Sequence, residues 1–169
     1  MKPALIGLGL IAVLALAWSG RSVGWALVNA KIRNDFPEVP RITTTQLADW
    51  LQNTARPAPL LLDVRRRTEY AVSHLADAQH VEPDAPASIV HEPKERPIVT
   101  YCSVGYRSSS FAQKLRAAGY ANVRNLEGSI FRWANEGRPV FRGDERVEQV
   151  HPYDRTWGFL LKKKYRAEL

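Results

Sequence analysis

Short apolar runs alternate with helical patterns along the middle of the chain. The apolar runs, which are typical of strands buried in a parallel sheet, cover residues 60–64, 78–81, 97–101 and 122–126. Apolar residues recur at helical spacing in three further stretches: Leu47, Trp50 and Leu51; Phe111, Leu115 and Ala118; and residues 130–136. Alternating strands and helices of this length predict an α/β domain over residues 42–142, with a central, mostly parallel sheet flanked by helices.

A different pattern opens the chain. Residues 4–18 form an unbroken run of apolar residues and glycine, and apolar character continues over residues 23–28, past Arg21. Since a spanning helix needs about 20 apolar residues, we expect a hydrophobic helix that anchors the chain in a membrane, over residues 1–28. Ala15-Leu16-Ala17 fits a small-x-small cleavage site, so a removed secretory signal is the alternative. The lack of a polar region before that site favours the anchor.

Basic residues flank this hydrophobic segment unequally. Lys2 precedes it, whereas Arg21, Lys31 and Arg33 lie within or after its second half. The positive-inside bias therefore favours a single N-terminal span with a cytoplasmic C-terminal domain. An exported or periplasmic domain, released by signal cleavage, is the alternative localisation.

The predicted domain has a polar segment on one side and a basic segment on the other. Residues 29–41 are polar and contain two prolines, which predicts a linker. In the C-terminal tail, residues 143–169, the apolar and aromatic stretch 157–161 precedes a cluster of lysines and arginine at 162–166. This tail either lies on an anionic membrane surface or packs its apolar side chains onto the domain, with the lysines in solvent.

Composition narrows the classes of partner. The formal net charge of +7 favours anionic partners in general, but no nucleic-acid-binding motif accompanies it, so we expect no nucleic acid. A single cysteine excludes an intramolecular disulfide framework. No group of cysteine and histidine residues has the spacing of a zinc site, and we expect no metal.

That one cysteine, Cys102, lies at the end of a predicted strand. Gly105 and Arg107 follow it, and the helical pattern starts about six residues after the cysteine. Unpaired N–H groups of a curled loop and a helix N-terminus favour an anion, and the arginine adds a permanent positive charge. We therefore expect a lowered pKa and a nucleophilic thiolate, the alternative being an inert, buried cysteine.

Three blocks of residues around this loop resemble the rhodanese-like sulfurtransferase family, over about residues 41–142. The family's six-residue active loop is matched by Cys102-Ser103-Val104-Gly105-Tyr106-Arg107, in the form C-x-x-G-x-R. The upstream block is Asp63-Val64-Arg65, Glu69-Tyr70 and His74; the downstream block includes Gly119-Tyr120, Leu126-Glu127-Gly128, Trp133 and Gly137-Arg138-Pro139. The chain departs from the family pattern at residues 73–78 and at Ser129, which replaces a usual glycine.

The resemblance implies a sulfurtransferase that moves a sulfane sulfur from thiosulfate or a similar anionic donor to a thiophilic acceptor, with a persulfide on Cys102. Such a two-step exchange with one nucleophile needs no organic cofactor. The predicted substrate-binding residues are Ser103, Val104, Gly105, Tyr106, Arg107 and Arg65. Asp63 and Ser108 are expected to support the site. Asp63 and Arg65 end a parallel strand, which places them at the same edge of the sheet as Cys102.

Two other functions are compatible with the same motif. A related family handles phosphate esters or arsenate with a loop that is one residue longer, whereas only four residues separate Cys102 from Arg107. The shorter loop suits a compact sulfur better than a tetrahedral phosphate. The remaining alternative is a non-catalytic, membrane-tethered rhodanese-like module that docks to a partner or carries a persulfide. For Arg65, a pair with Glu69 one helical turn away is the alternative to substrate binding.

Overall fold

A computed structural model describes residues 4–168 of the chain, and the side chains of residues 20–168. Within these residues, five parallel strands form the central sheet, in the spatial order β1-β5-β4-β2-β3. The strands are β1 (Arg41–Ile42), β2 (Leu60–Asp63), β3 (Gln79–His80), β4 (Ile98–Tyr101) and β5 (Val123–Leu126). The predicted α/β fold with a central parallel sheet is confirmed, and each predicted strand lies within two residues of its observed bounds.

Helices cover both faces of this sheet. They are α1 (Ala4–Asp35), α2 (Thr44–Gln52), α3 (Arg67–Val72), α4 (Tyr106–Ala117) and α5 (Ser129–Asn135). Three short 3-10 turns occupy Ala87–Ile89, Trp157–Leu160 and Lys163–Tyr165. A capping box starts α2: the Thr43 hydroxyl accepts from the Gln46 N–H at 3.1 Å, and the Gln46 side chain accepts from the Thr43 N–H at 3.0 Å.

The two central strands are buried along their whole length, and their side chains alternate between two cores. Leu61 and Val99 point into one core, and Leu62 and Ile98 point into the other. β2 and β4 pair in parallel, with Asp63 opposite Tyr101. The carboxyl ends of both strands therefore meet at one edge of the sheet, which brings the residues after β2 beside Cys102.

Helix α1 corrects the predicted linker. Residues 29–35 continue this helix to Asp35 instead of forming an irregular connection. The reason is tertiary packing: Ile32 is 4% exposed and Phe36 is 8% exposed, and both belong to the core beside α4. Only one face of residues 29–35 is apolar, and polar residues cover the other faces. The segment therefore has a polar composition overall, although it forms a helix that packs on the core.

The predicted membrane anchor depends mainly on residues 4–18, whose side chains lie outside the described part of the chain. Among the residues with described side chains, no helix is both long enough and apolar enough to span a bilayer. The anchor, its orientation and the alternative of a cleaved signal therefore stay predictions.

The C-terminal region adds a hairpin that the sequence patterns did not predict. Strands β6 (Val140–Arg142) and β7 (Glu145–Val147) pair antiparallel, and Phe141 donates a backbone hydrogen bond to the carbonyl of His74 at 2.8 Å. Beyond the hairpin, Leu160 and Leu161 are buried in the core, while residues 162–164 are exposed. Of the two arrangements expected for the tail, the geometry matches packing onto the domain.

The tail also packs against the second half of α1. The Arg21 Nε donates to the carbonyl of Phe159 at 3.3 Å. Gly24 lies so close to Leu160 that an added Cβ would be 2.9 Å from the leucine side chain. These two segments, which flank the α/β domain in sequence, thus meet on one side of it.

Candidate active site

A tight loop between β4 and α4 holds Cys102. The helix begins at Tyr106, earlier than the helical pattern predicted, so only four residues form the turn. Gly105 takes φ +114° at the N-cap of α4, a conformation that side chains rarely adopt. An added Cβ at this position would lie 3.2 Å from Asn125 and 3.3 Å from Ile32. Backbone conformation and close packing both therefore require glycine.

The thiol of Cys102 is 1% exposed and is surrounded by hydrogen-bond donors. The Gly105 N–H donates to Sγ at 3.1 Å. Burial by itself raises the pKa of the thiol, but the charge of Arg107 and the backbone hydrogen bonds from Ser108 and Gly105 outweigh that effect and lower the pKa. The loop thus favours the thiolate, as expected from its position at a helix N-terminus.

The first turn of α5 fixes the backbone of the loop. The Ser129 hydroxyl accepts from the Cys102 N–H at 3.2 Å and donates to the carbonyl of Leu126 at 3.1 Å. The N–H groups of Ile130 and Phe131 donate to the carbonyls of Cys102 and Ser103. Ser129, which appeared in the sequence only as a departure from the family pattern, therefore links the catalytic loop to β5 and α5.

Neighbouring side chains hold the guanidinium of Arg107. Its guanidinium donates to both carboxylate oxygens of Glu69, at 2.7 and 2.9 Å, and to the Ser103 hydroxyl at 3.0 Å. Ser103 donates in turn to Glu69 at 3.0 Å. Glu69 is 2% exposed; burial raises its pKa, but the charge and hydrogen bonds of Arg107 lower it overall. Glu69 is thus a site residue whose partner the sequence spacing did not identify.

Arg65 is a correction. We expected it at the bound substrate, with a pair to Glu69 or structural support of the site beside Asp63 as the alternatives. Its guanidinium is fully buried and binds Asp63, which matches structural support. Nε contacts both carboxylate oxygens, at 2.9 and 3.1 Å, and Nη2 lies 2.6 Å from Oδ2 and 2.5 Å from the carbonyl of Ser73. Because this pair points into the protein, Arg65 and Asp63 fix the chain after β2 and do not contact the solvent-accessible side of the loop.

Ser108 lies beneath the loop. Its hydroxyl donates to the Asn125 side chain at 2.6 Å, and that side chain donates to the carbonyl of Gly105 at 3.3 Å. The carbonyl of Ser108 accepts from the Thr100 hydroxyl at 3.0 Å. These bonds connect the first turn of α4 to strands β4 and β5.

A cavity of about 550 Å³ opens above Cys102. The loop residues Cys102, Ser103, Val104, Tyr106 and Arg107 form its floor. Its walls come from α1 and from the C-terminal tail: Leu27, Val28, Lys31, Tyr153 and Trp157. Sequence patterns gave no indication of these wall residues, because their proximity to Cys102 depends on how two distant segments fold over the domain.

Comparisons with known proteins agree with this geometry. The family model of the rhodanese-like domain matches residues 43–136. A curated sulfurtransferase from Allochromatium vinosum is 38% identical over 85 residues, which are 48% of this chain and 77% of that protein. The solution structure of a rhodanese-like domain from Anabaena is 30% identical, covers 62% of this chain and 80% of its own, and superposes with a TM-score of 0.55.

Another relative is much longer than this chain. The probable adenylyltransferase/sulfurtransferase MoeZ of Mycobacterium tuberculosis is 31% identical over 105 residues, which are 58% of this chain but 25% of that protein. The likeness therefore concerns one part of that relative. In this chain, α1 and the C-terminal tail lie outside the segment that the family model matches.

Proposed function

The chain belongs to the rhodanese-like family, and from this premise we propose that it moves a sulfane sulfur from an anionic donor such as thiosulfate to a thiophilic acceptor, through a persulfide on Cys102. One observation carries the proposal: the Sγ atom of Cys102 accepts a hydrogen bond from the Gly105 N–H at 3.1 Å, and the pKa of the thiol is lowered. A thiolate at the floor of an open cavity is a competent nucleophile.

In the first step, the Cys102 thiolate attacks the outer sulfur of thiosulfate. A new S–S bond forms at Sγ as the donor's own S–S bond breaks, and sulfite leaves with that electron pair. In the second step, a nucleophilic acceptor attacks the terminal sulfur of the persulfide, and the electron pair returns to Sγ as thiolate. Neither step needs an external oxidant, a reductant or a general base.

Backbone groups supply the charge stabilisation in this proposal. The Gly105 N–H already donates to Sγ, and we propose that the amides of Ser103, Val104 and Tyr106 join it in binding the terminal sulfur, since preorganised N–H groups stabilise an anion at little cost in reorganisation. Arg107 stabilises the anionic donor or the charge of the persulfide. Glu69 and Ser103 already accept three of its hydrogen bonds, so its permanent positive charge is its main contribution in this proposal.

The test is the mass of the protein after incubation with excess thiosulfate or, separately, with glutathione persulfide. We expect the intact mass to increase by one sulfur atom, the adduct to disappear with cyanide, and Cys102→Ala to gain nothing. Thiosulfate should also protect Cys102 from alkylation. Loading by the persulfide alone would show that the proposed donor is wrong, and loading by neither would overturn the sulfurtransferase proposal.

A further inference from the structure

We infer that the cavity above Cys102 binds an organic thiol with an apolar, aromatic-sized body as the acceptor of the sulfur, an inference that rests on the proposed function and specifies its acceptor. The volume of about 550 Å³ lies within the range typical of pockets for small organic molecules, roughly 300–1,000 Å³. Thiosulfate has only a few heavy atoms and would leave most of this space unfilled.

Apolar side chains dominate the walls. Leu27 and Val28 of α1 face the cavity from one segment, and Tyr153 and Trp157 face it from the tail, with Tyr106 at the loop. Leu27 is 66% exposed, and Tyr106 and Trp157 are each 38% exposed. Three large hydrophobic residues thus remain in contact with water around one opening. Covering them with an apolar ligand would remove that surface from water, which favours binding.

The charges of the cavity do not favour a strongly anionic ligand body. Two cationic side chains line it, and each has a carboxylate partner. Lys31 lies 2.8 Å from Asp35, which also accepts from the Tyr106 hydroxyl at 2.8 Å. The hydrogen bonds from Lys31 and Tyr106 hold the pKa of Asp35 at about 2, so this carboxylate is charged at neutral pH. The cavity lining therefore presents a mainly apolar surface, on which the charges of Lys31 and Arg107 are neutralised by neighbouring carboxylates.

Half of the ten lining residues come from outside the segment that the rhodanese-like family model matches, residues 43–136. They are Leu27, Val28, Lys31, Tyr153 and Trp157. Because the family model does not include these segments, we assign to them the selection of the molecule that reaches the loop. Selection by apolar contact is what an aliphatic and aromatic wall provides.

The transfer balances without another reactant. The ligand's thiolate attacks the terminal sulfur of the Cys102 persulfide, forming a new S–S bond on the ligand. The bond between that sulfur and Sγ breaks, and its electron pair stays on Sγ as thiolate. The product is an organic persulfide whose body lies between α1 and Trp157.

The experiment compares benzyl mercaptan with 2-mercaptoethanol as acceptors for the persulfide-loaded full chain. The two thiols differ mainly in the apolar ring. We expect kcat/KM for benzyl mercaptan to be higher by on the order of tenfold or more, the discrimination that apolar pockets give. Leu27→Glu should lower this ratio toward one, because a carboxylate would then lie against the ring. Leu27 is largely exposed, so the variant should fold.

Ile89→Glu is the matched control. Ile89 is also an exposed aliphatic residue, at 54%, but it lies in a 3-10 turn and does not line the cavity. The ratio should stay at the wild-type value in this variant. A wild-type ratio near one, or an equal ratio in Leu27→Glu, would overturn the inference even though persulfide chemistry proceeded.

A second readout does not depend on turnover. Benzyl methyl sulfide, which lacks a reactive thiol, should bind the Cys102→Ser variant and change its tryptophan fluorescence, and this change should be lost in Trp157→Phe. Leu27→Glu in the same background should weaken the binding about tenfold. Failure of Cys102 to load sulfur would overturn the proposed function and with it the acceptor role, even if the sulfide bound to the cavity. Failure of the sulfide to bind would overturn the acceptor class.

Discussion

Individual side chains set the reactivity of Cys102 through opposing charges. Arg107 lowers the pKa of the thiol, while Glu69 neutralises much of the charge of Arg107 by accepting from both terminal nitrogens of its guanidinium. The ion pair is mostly buried, so water screens it little. The electric field at Sγ therefore depends on the opposing charges of Arg107 and Glu69. Removing either side chain should change the pKa of the Cys102 thiol.

Removing the positive charge should raise the pKa of Cys102. In Arg107→Gln the thiolate loses its largest favourable charge, and the midpoint of the pH dependence of alkylation by iodoacetamide should move to higher pH than in the wild type. The thiolate fraction at neutral pH falls as a result, and so does the rate of persulfide formation. An unchanged midpoint would show that the loop amides alone determine the pKa.

Removing the negative charge should act in the opposite direction. Glu69→Gln keeps the shape of the side chain but leaves Arg107 without its carboxylate partner, so the alkylation midpoint should move to lower pH. Glu127→Gln is the control, since Glu127 pairs with Arg132 at 3.3 Å and not with the catalytic loop. A shift to higher pH in Glu69→Gln would mean that Glu69 acts by orienting Arg107 and not by neutralising it.

Gly105 is the residue where backbone conformation and the catalytic loop are most tightly linked. Gly105→Ala should destabilise the fold by about 1–3 kcal/mol through strain, with further crowding against Asn125, and should slow alkylation of Cys102. Gly119→Ala is a matched control, because Gly119 has φ +92° but no atom within 4 Å of an added Cβ. Urea unfolding should show strain in both variants, and only Gly105→Ala should lose reactivity. Equal reactivity in the two variants would contradict the role of the loop curl.

Among the secondary-structure elements, α1 has the most unexpected role. Its second half packs Ile32 into the core and lies against the catalytic loop, where an added Cβ on Gly105 would be 3.3 Å from the isoleucine. The helix is therefore part of the folded domain and also a wall of the cavity. A polar linker would provide neither.

Ile32→Ala measures that packing. Truncation of a buried isoleucine removes apolar contacts and leaves a cavity, so the free energy of unfolding in urea should fall by roughly 2–5 kcal/mol. Val23→Ala is the comparison, since Val23 is on the same helix and is 58% exposed; its cost should be about 0.5 kcal/mol or less. If the two variants lost equal stability, α1 would not be part of the core.

How far the sequence predicts these elements depends on how local their signals are. The segment from β4 through Cys102 to α4 was predictable, because an apolar run, a glycine and a helical repeat of apolar residues follow one another directly. Even there, Ala118 lies exposed after the helix end, since the repeat outlasts the helix by one residue. The hairpin of β6 and β7 was missed because each strand has only three residues, half of the six are charged, and the bridge partner, His74, is distant in sequence.

The same reasoning separates the site residues that the sequence revealed from those it did not. Cys102 and Gly105 belong to a contiguous motif, so their roles followed from spacing. The Glu69–Arg107 pair and the position of Trp157 beside the loop depend on contacts between segments far apart in the chain. No periodicity or motif encodes such contacts, and Arg65, one helical turn before Glu69, suggested the wrong partner for it.

At the scale of the whole molecule, α1 and the C-terminal tail, which lie outside the family domain, meet to form one side of the cavity above Cys102. The Arg21–Phe159 hydrogen bond and the packing of Gly24 on Leu160 join α1 to the tail. Helix α1 therefore contributes to the cavity and also contains most of the predicted anchor. Arg21, Gly24, Leu27 and Val28 contact the tail or line the cavity, so an anchor would have to use the residues before them. It would then hold the cavity opening near the bilayer, where apolar thiols concentrate.

The anchor prediction is tested by deleting residues 2–19, which keeps the part of α1 that packs on the domain. The full chain should float with lipid vesicles in a density gradient, and the shortened chain should remain in the dense fraction, because it lacks the apolar run. Both forms should load sulfur on Cys102 at similar rates, since Leu27 and Ile32 are retained. An intact mass that begins after Ala17 in the cell would indicate a cleaved signal instead, and equal flotation of both forms would place the membrane contact in the tail.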